Sequence, residues 1–180
     1  MKPIFLIGYM GSGKTTLGRN VAKKLGLEFI DLDIFIESRY HSSIREIFEK
    51  KGEESFRKIE RSILHEISEF QNVIVACGGG TPCHFDNMDF MCNHGLTIYL
   101  NTSIETLFKR LSITSAKEKR PLLTGKSNDE LKQFITDALK AREPFYAQAR
   151  ISFDSNEIEN FPEINKATDI LIESIQRHNT

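Results

Sequence analysis

A three-layer α/β fold, a parallel sheet between two helical layers, follows from three features of the sequence. The apolar runs Pro3–Ile7, Asn72–Cys77 and Gly95–Leu100 have strand length and lack polar alternation, the pattern of strands buried on both faces. Stretches with apolar residues at helical spacing lie between them. The first run leads straight into Gly8-Tyr9-Met10-Gly11-Ser12-Gly13-Lys14-Thr15, which fits the phosphate-binding pattern G-x-x-x-x-G-K-[ST].

Length and composition narrow the class. At 180 residues the chain reads as one domain over residues 1–180, large enough for a substantial core. With 24 Lys and Arg against 25 Asp and Glu, no net field recruits nucleic acid or anionic membranes. No apolar run reaches transmembrane length, and the N-terminal apolar stretch lacks a signal peptide's cleavage region, so a cytoplasmic protein is expected. Cys77, Cys83 and Cys92 form no even framework and fit free thiols in a reducing compartment. Cys83 and His84 with Cys92 and His94 would offer four zinc ligands, but adjacent ligands suit a tetrahedral site poorly. Nothing suggests an obligate interface, so a monomer is expected.

In chain order, the helix after the glycine loop shows Leu17, Val21 and Leu25 on one face, and Gly26 ends it. Strand, loop and helix together direct successive backbone N–H groups at an anion. Lys14 adds a point charge for the β- and γ-phosphates, and the Thr15 hydroxyl a magnesium ligand. Glu28–Asp33 reads as a short strand, with Asp31 and Asp33 on one side at its C-terminal end, where open parallel sheets bind ligands. Two carboxylates so close call either for a cation such as nucleotide-held magnesium or for a solvated turn that caps the next helix.

Residues 34–51 read as helical pieces broken near His41-Ser42-Ser43, and Gly52 opens a long helix to about Phe70. Its stripe is Phe56, Ile59, Ile63, Ile67 and Phe70, and Glu60 falls inside it with Arg57 one turn earlier. A carboxylate there requires a partner, and Arg57 at i, i+3 supplies one while keeping donors free for a ligand. The third strand ends in Gly78-Gly79-Gly80, which permits close backbone approach or forms a plain loop. No Asp ends that strand, so Asp31 is the natural substitute for the second magnesium carboxylate.

Ser103 caps a helix through Leu111. Residues 112–126 are polar, with Lys117, Lys119, Arg120 and Lys126 around Pro121-Leu122-Leu123, either a lid over phosphates or a solvated surface. The next helix carries Leu131, Phe134, Ile135, Ala138, Leu139, Phe145 and Tyr146 on one face, with Arg142 among them. An arginine so placed implies either a bound anion or an acidic partner. Ile151–Asp154 reads as a fifth strand and Ile164–Ile175 as a closing helix.

Taken together, the glycine loop, Asp31-Leu32-Asp33, Phe56-Arg57-x-x-Glu60, Gly78-Gly79-Gly80, Arg120-Pro121-Leu122-Leu123 and Arg142-x-Pro144-x-Tyr146 resemble the shikimate kinase family over essentially the whole chain. The resemblance implies a P-loop NTPase-type sheet of five parallel strands in the order 2-3-1-4-5, with helices on both faces, helices over about 34–70 for the acceptor, and a lid. It implies transfer of the ATP γ-phosphate to the 3-hydroxyl of shikimate, in aromatic amino acid biosynthesis. By position, Asp33 holds the reacting hydroxyl, while Arg57, Arg142 and the Gly78, Gly79 and Gly80 segment bind the acceptor. Gly11, Ser12, Gly13, Lys14, Thr15 and Thr16 cradle the phosphates, with Lys14 and Arg120 on the transferring group. Thr15 with Asp31 organises magnesium, and Arg110 stacks on adenine. The competing readings are a gluconate or adenylate kinase on the same scaffold, which leaves Gly78–Gly80 with Arg57 and Arg142 unexplained, and an inactive nucleotide-binding module.

Overall fold

The computed structural model describes residues 1–113 and 123–178. Strands β1 (Ile4–Ile7), β2 (Glu28–Asp31), β3 (Val73–Ala76), β4 (Leu96–Asn101) and β5 (Ile151–Asp154) form one sheet in the order β2-β3-β1-β4-β5. Every pairing is parallel, with Phe5 opposite Val75 on one side and Thr97 on the other. The unalternating apolar runs have a direct cause. Phe5, Ile7, Val73, Val75 and Tyr99 pack into the core on one face, and Ile4, Leu6, Ile74, Ile98 and Leu100 into that on the other. Side chains alternate along each strand, yet both directions lead into apolar layers.

Around the sheet lie α1 (Lys14–Leu25), α2 (Leu32–Tyr40), α3 (Ile44–Ser68), α4 (Asn87–His94), α5 (Ile104–Ser112), α6 (Asn128–Tyr146) and α7 (Phe161–His178). Helix α1 ends on Gly26 at φ 66°, the left-handed position a glycine C-cap favours. The break between α2 and α3 falls where the sequence places it. His41 takes φ 47°, and a Ser43–Glu46 capping box starts α3. Gly52, at φ 77° and ψ 169°, divides α3 into two helical pieces. On α6, a second capping box joins Ser127 and Glu130. Helix α4 and the 3₁₀ turn Thr81–Cys83 before it were not expected from the sequence.

One expectation about the second strand is corrected. β2 stops at Asp31, and Asp33 lies in the first turn of α2 rather than on a strand beside Asp31. The Asp31 side chain causes the switch, because from extended backbone it accepts the Ile34 N–H and caps α2. A third apolar cluster, Tyr9, Leu107, Leu111, Leu123, Leu131 and Ile135, joins α5 and α6 to the glycine loop. Of the expected lid over 112–126, residues 114–122 lie outside the described residues, Arg120 among them. Its far end is anchored by Leu123, which is fully buried in that cluster.

Candidate active site

The carboxyl ends of the strands frame a cleft of about 520 Å³, lined among others by Gly13, Lys14, Thr15, Asp31, Asp33, Gly78, Gly79 and Arg110. This is the ligand side of an open parallel sheet. Gly8, Gly11 and Gly13 take φ of 140°, 83° and 95°, conformations open to glycine and strained for other residues. Gly13 is the N-cap of α1 with no side-chain cap, so the first N–H groups of that helix face the cleft without a side-chain acceptor. The Ser12 hydroxyl is buried without a partner beside them. Thr16, at the outer edge, also lines the cleft.

Lys14 stands at the centre of the cleft. Its Nζ donates to the carbonyls of Gly8 at 2.8 Å and Tyr9 at 2.9 Å, so the ammonium is held inside the loop. Burial lowers its pKa to about 8, against the opposing pull of the Asp33 carboxylate. The Asp33 carboxyl moves the other way, to about 6, raised first by burial and then by the Asp31 and Glu60 carboxylates. At the loop's end the Thr15 hydroxyl donates to Asp31 Oδ2 at 3.0 Å. This places two hard oxygen donors side by side, the chemistry that suits magnesium. Asp31 is thus the helix cap, one of the two readings open from the sequence, and its other oxygen accepts from Thr15.

Opposite the loop, the three glycines serve close approach, since none has positive φ. A Cβ on Gly78 would sit 3.0 Å from Asp33 Oδ1, one on Gly79 3.1 Å from Arg142 Nη1, and one on Gly80 2.8 Å from Arg57 Nη2. Each glycine thus lies beneath a charged side chain, Gly78 beneath both Asp33 and Glu60. The Arg57–Glu60 pair expected from the i, i+3 spacing forms at 2.8 Å, with Glu60 almost completely buried. Thr81 donates to the other Glu60 oxygen at 2.6 Å, so both carboxylate oxygens are engaged and one of them holds Arg57.

Arg142 is partly buried, and no carboxylate among the described residues pairs with it. Its guanidinium carbon lies 5.3 Å from the centroid of the Tyr9 ring. Of the two sequence alternatives for Arg142, the acidic partner is therefore not found among the described residues. One turn further along α6, Tyr146 is completely buried and donates its hydroxyl to Gly79 O at 2.6 Å. The sequence places Tyr146 on the apolar face of the helix and in the Arg142-x-Pro144-x-Tyr146 match, and gives it no hydrogen-bonding role.

Arg110 closes the other end of the cleft. It donates to Glu159 at 2.7 Å, to Gly11 O at 3.1 Å, and to the carbonyls of Ser155 at 2.9 Å and Asn156 at 3.0 Å. It ties the phosphate loop to segment 155–159, with four of its five N–H groups so engaged. Ile158 also lines the cleft, over Gly13. The family resemblance implies a loop over Asp154 to Asn160 near the adenine, with none of its residues assigned from the sequence.

Comparison with known proteins places the chain in a family. The shikimate kinase family model matches residues 10–175. The shikimate kinase of Parabacteroides distasonis is 52% identical over 88% of this chain and 90% of its own. The Bacteroides thetaiotaomicron shikimate kinase is 49% identical over 98% of this chain and 99% of its own. A crystal structure of shikimate kinase from B. thetaiotaomicron superposes with a TM-score of 0.93 at 48% identity, covering 97% of this chain and 98% of that one. A shikimate kinase from Acinetobacter baumannii, solved in complex with shikimate, gives 0.82 at 34% identity, covering 98% and 94%. A Sinorhizobium meliloti gluconokinase, at 16% identity and TM-score 0.57, shares the fold alone. The chain belongs to the shikimate kinase family.

Proposed function

We propose that this chain transfers the γ-phosphoryl group of ATP to the 3-hydroxyl of shikimate, giving shikimate 3-phosphate and ADP. The observation that carries the reading is the glycine run, which seats Asp33, Arg142 and Arg57 over three successive residues. Shikimate is a small polyol with one carboxylate. Two guanidinium groups and one carboxylate gathered over the glycine run, next to the phosphate-loop cleft that Asp33 lines, match that distribution of charge.

In this reading the uncapped start of α1 and the loop N–H groups bind the phosphates. The Lys14 ammonium exchanges the Gly8 and Tyr9 carbonyls for phosphate oxygens. Arg57 and Arg142 hold the acceptor's carboxylate, while Asp33 orients its hydroxyl and accepts the proton as the oxygen attacks the γ-phosphorus. The bond from that phosphorus to the β–γ bridging oxygen breaks, and ADP leaves. Thr15 and Asp31 would hold magnesium, with phosphate oxygens and water completing the shell. When bound, the ion neutralises charge on the β- and γ-phosphates. Arg110 offers its face to the adenine, and Arg120 would add charge at the transferring phosphate.

No helix among the described residues is long and apolar enough to cross a membrane. A cytoplasmic monomer fits the free thiols and the near-neutral charge. A coupled assay of ADP release with shikimate, gluconate and AMP tests the activity. Turnover with shikimate alone is expected. Turnover with gluconate or AMP and none with shikimate overturns the reading.

A further inference from the structure

We propose that Tyr9, the second residue of the phosphate loop, is a positioning residue for the acceptor: its ring is the platform that aims the Arg142 guanidinium at the acceptor's carboxylate. The proposal rests on the shikimate reading above. Tyr9 is 1% exposed, and its ring packs with Leu107, Leu111, Leu123, Leu131 and Ile135 between the loop, α5 and α6. The Arg142 guanidinium carbon lies 5.3 Å from the ring centroid, within the range of cation–π attraction.

Three observations separate this contact from ordinary packing. The Tyr9 hydroxyl is buried with no hydrogen-bond partner, so the aromatic face does what the residue does for Arg142. No carboxylate among the described residues competes for that guanidinium, which has the Tyr9 ring against one side and the Tyr146 hydroxyl as a polar neighbour. The same residue's carbonyl accepts Lys14 Nζ at 2.9 Å and the Ser12 N–H at 3.2 Å. A single residue therefore joins the phosphate-binding lysine, through its backbone, to the acceptor clamp, through its side chain. An arginine with four rotatable bonds loses much freedom when it binds a carboxylate, and a pre-set guanidinium reduces that loss.

The test uses Tyr9→Leu, Tyr9→Met and Tyr9→Phe in the full chain, with KM for shikimate, KM for ATP, kcat and Tm measured on one preparation. The two aliphatic variants fill the site without a π face. Each should raise KM for shikimate roughly three- to thirtyfold, the range of a partly desolvated cation–π contact, with KM for ATP within about twofold. Tyr9→Phe should restore the parent KM and raise Tm, since it removes the orphaned hydroxyl. In an Arg142→Ala background, Tyr9→Leu should raise KM for shikimate no further, because the residue acts through Arg142. The proposal is overturned if the folded aliphatic variants keep the parent KM for shikimate. It is equally overturned if both KM values rise together, or if the effect persists without Arg142. Should Tyr9→Leu fail to fold, Tyr9→Met decides. A parent enzyme inactive on shikimate defeats the functional reading instead, a result distinct from all of these.

Discussion

Lys14 and Asp33 move each other's protonation within one cleft: the carboxylate opposes the fall of the ammonium pKa to about 8, and the ammonium opposes the rise of the carboxyl to about 6. Burial dominates both shifts. The two values belong to an interacting pair and appear as two macroscopic steps. Below about 6 Asp33 carries a proton and cannot accept another, and above about 8 Lys14 loses its charge. The free enzyme's kcat/KM should therefore rise with pH through about 6 and fall above about 8. Bound phosphates favour the charged lysine, so the alkaline limb of kcat should lie at higher pH than that of kcat/KM. Coincident alkaline limbs would count against Lys14 as the group responsible.

Asp33→Asn should lower kcat by ~10²–10⁴, the usual range for a positioned acid–base group, while nucleotide affinity stays near the parent value. Because the Asp33 carboxyl is held near 6 at some cost to folding above that pH, the amide should leave stability at pH 8 unchanged or higher. The sign follows from a folded pKa above the unfolded one: the native state binds the proton more tightly, so ionisation at high pH favours the unfolded chain. Turnover within about threefold of the parent would remove Asp33 from proton transfer.

The pairing of Thr15 with Asp31 at 3.0 Å leads to a metal prediction. Excess chelator should abolish turnover and restored magnesium should recover it, since charge between the β- and γ-phosphates is then no longer neutralised. Thr15→Ala should raise the magnesium concentration needed for half-maximal rate by about tenfold or more and leave Tm nearly unchanged, because the lost hydrogen bond is only part-buried. Full activity in chelator would exclude metal-dependent phosphoryl transfer.

Tyr146→Phe removes a 2.6 Å hydrogen bond and strands the Gly79 carbonyl. The expected loss is ~1–3 kcal/mol, which for a chain of this size lowers Tm by several degrees. Planarity of the 79–80 peptide sets the Gly80 N–H opposite that carbonyl, so loosening it should also raise KM for shikimate severalfold. Calorimetry together with steady-state kinetics checks both. A fall in Tm with no change in KM would make Tyr146 purely structural.

Much of this was legible in the sequence, for reasons that differ from element to element. The glycine loop is local chemistry, so Gly8, Gly11 and Gly13 show themselves by spacing. The Arg57–Glu60 pair was legible because i, i+3 fixes proximity within a helix. Asp33 was misplaced because Glu28–Asp33 is too short to separate a two-residue period from the start of a helix, and the cap at Asp31 decided it. Helix α4, eight residues between glycine-rich and apolar segments, is too short to display a stripe. Spacing and periodicity alone name no long-range hydrogen-bond partners. Tyr146 with Gly79 is 67 residues apart and Arg110 with Gly11 is 99 apart, and periodicity reports which face is buried without naming what lies against it.

Arg142 gives the sharpest separation between a binding role and a structural one. With no carboxylate paired to it among the described residues, Arg142→Ala should strand no buried acid, and Tm should stay within about two degrees of the parent. KM for shikimate should rise strongly while KM for ATP hardly moves, since a charge-assisted contact in a desolvated pocket contributes roughly 2–4 kcal/mol, about thirtyfold to several hundredfold. Arg142→Lys should recover part of that, because an ammonium neither reproduces the planar fork nor lies as well on the Tyr9 ring. An acceptor analogue without the carboxylate supplies the control: it should bind the parent poorly and respond little to the substitution. If Arg142→Ala weakens the analogue as much as it weakens shikimate, the guanidinium shapes the pocket instead of gripping the carboxylate. Arg57, fixed by Glu60, would then be left to hold that charge alone.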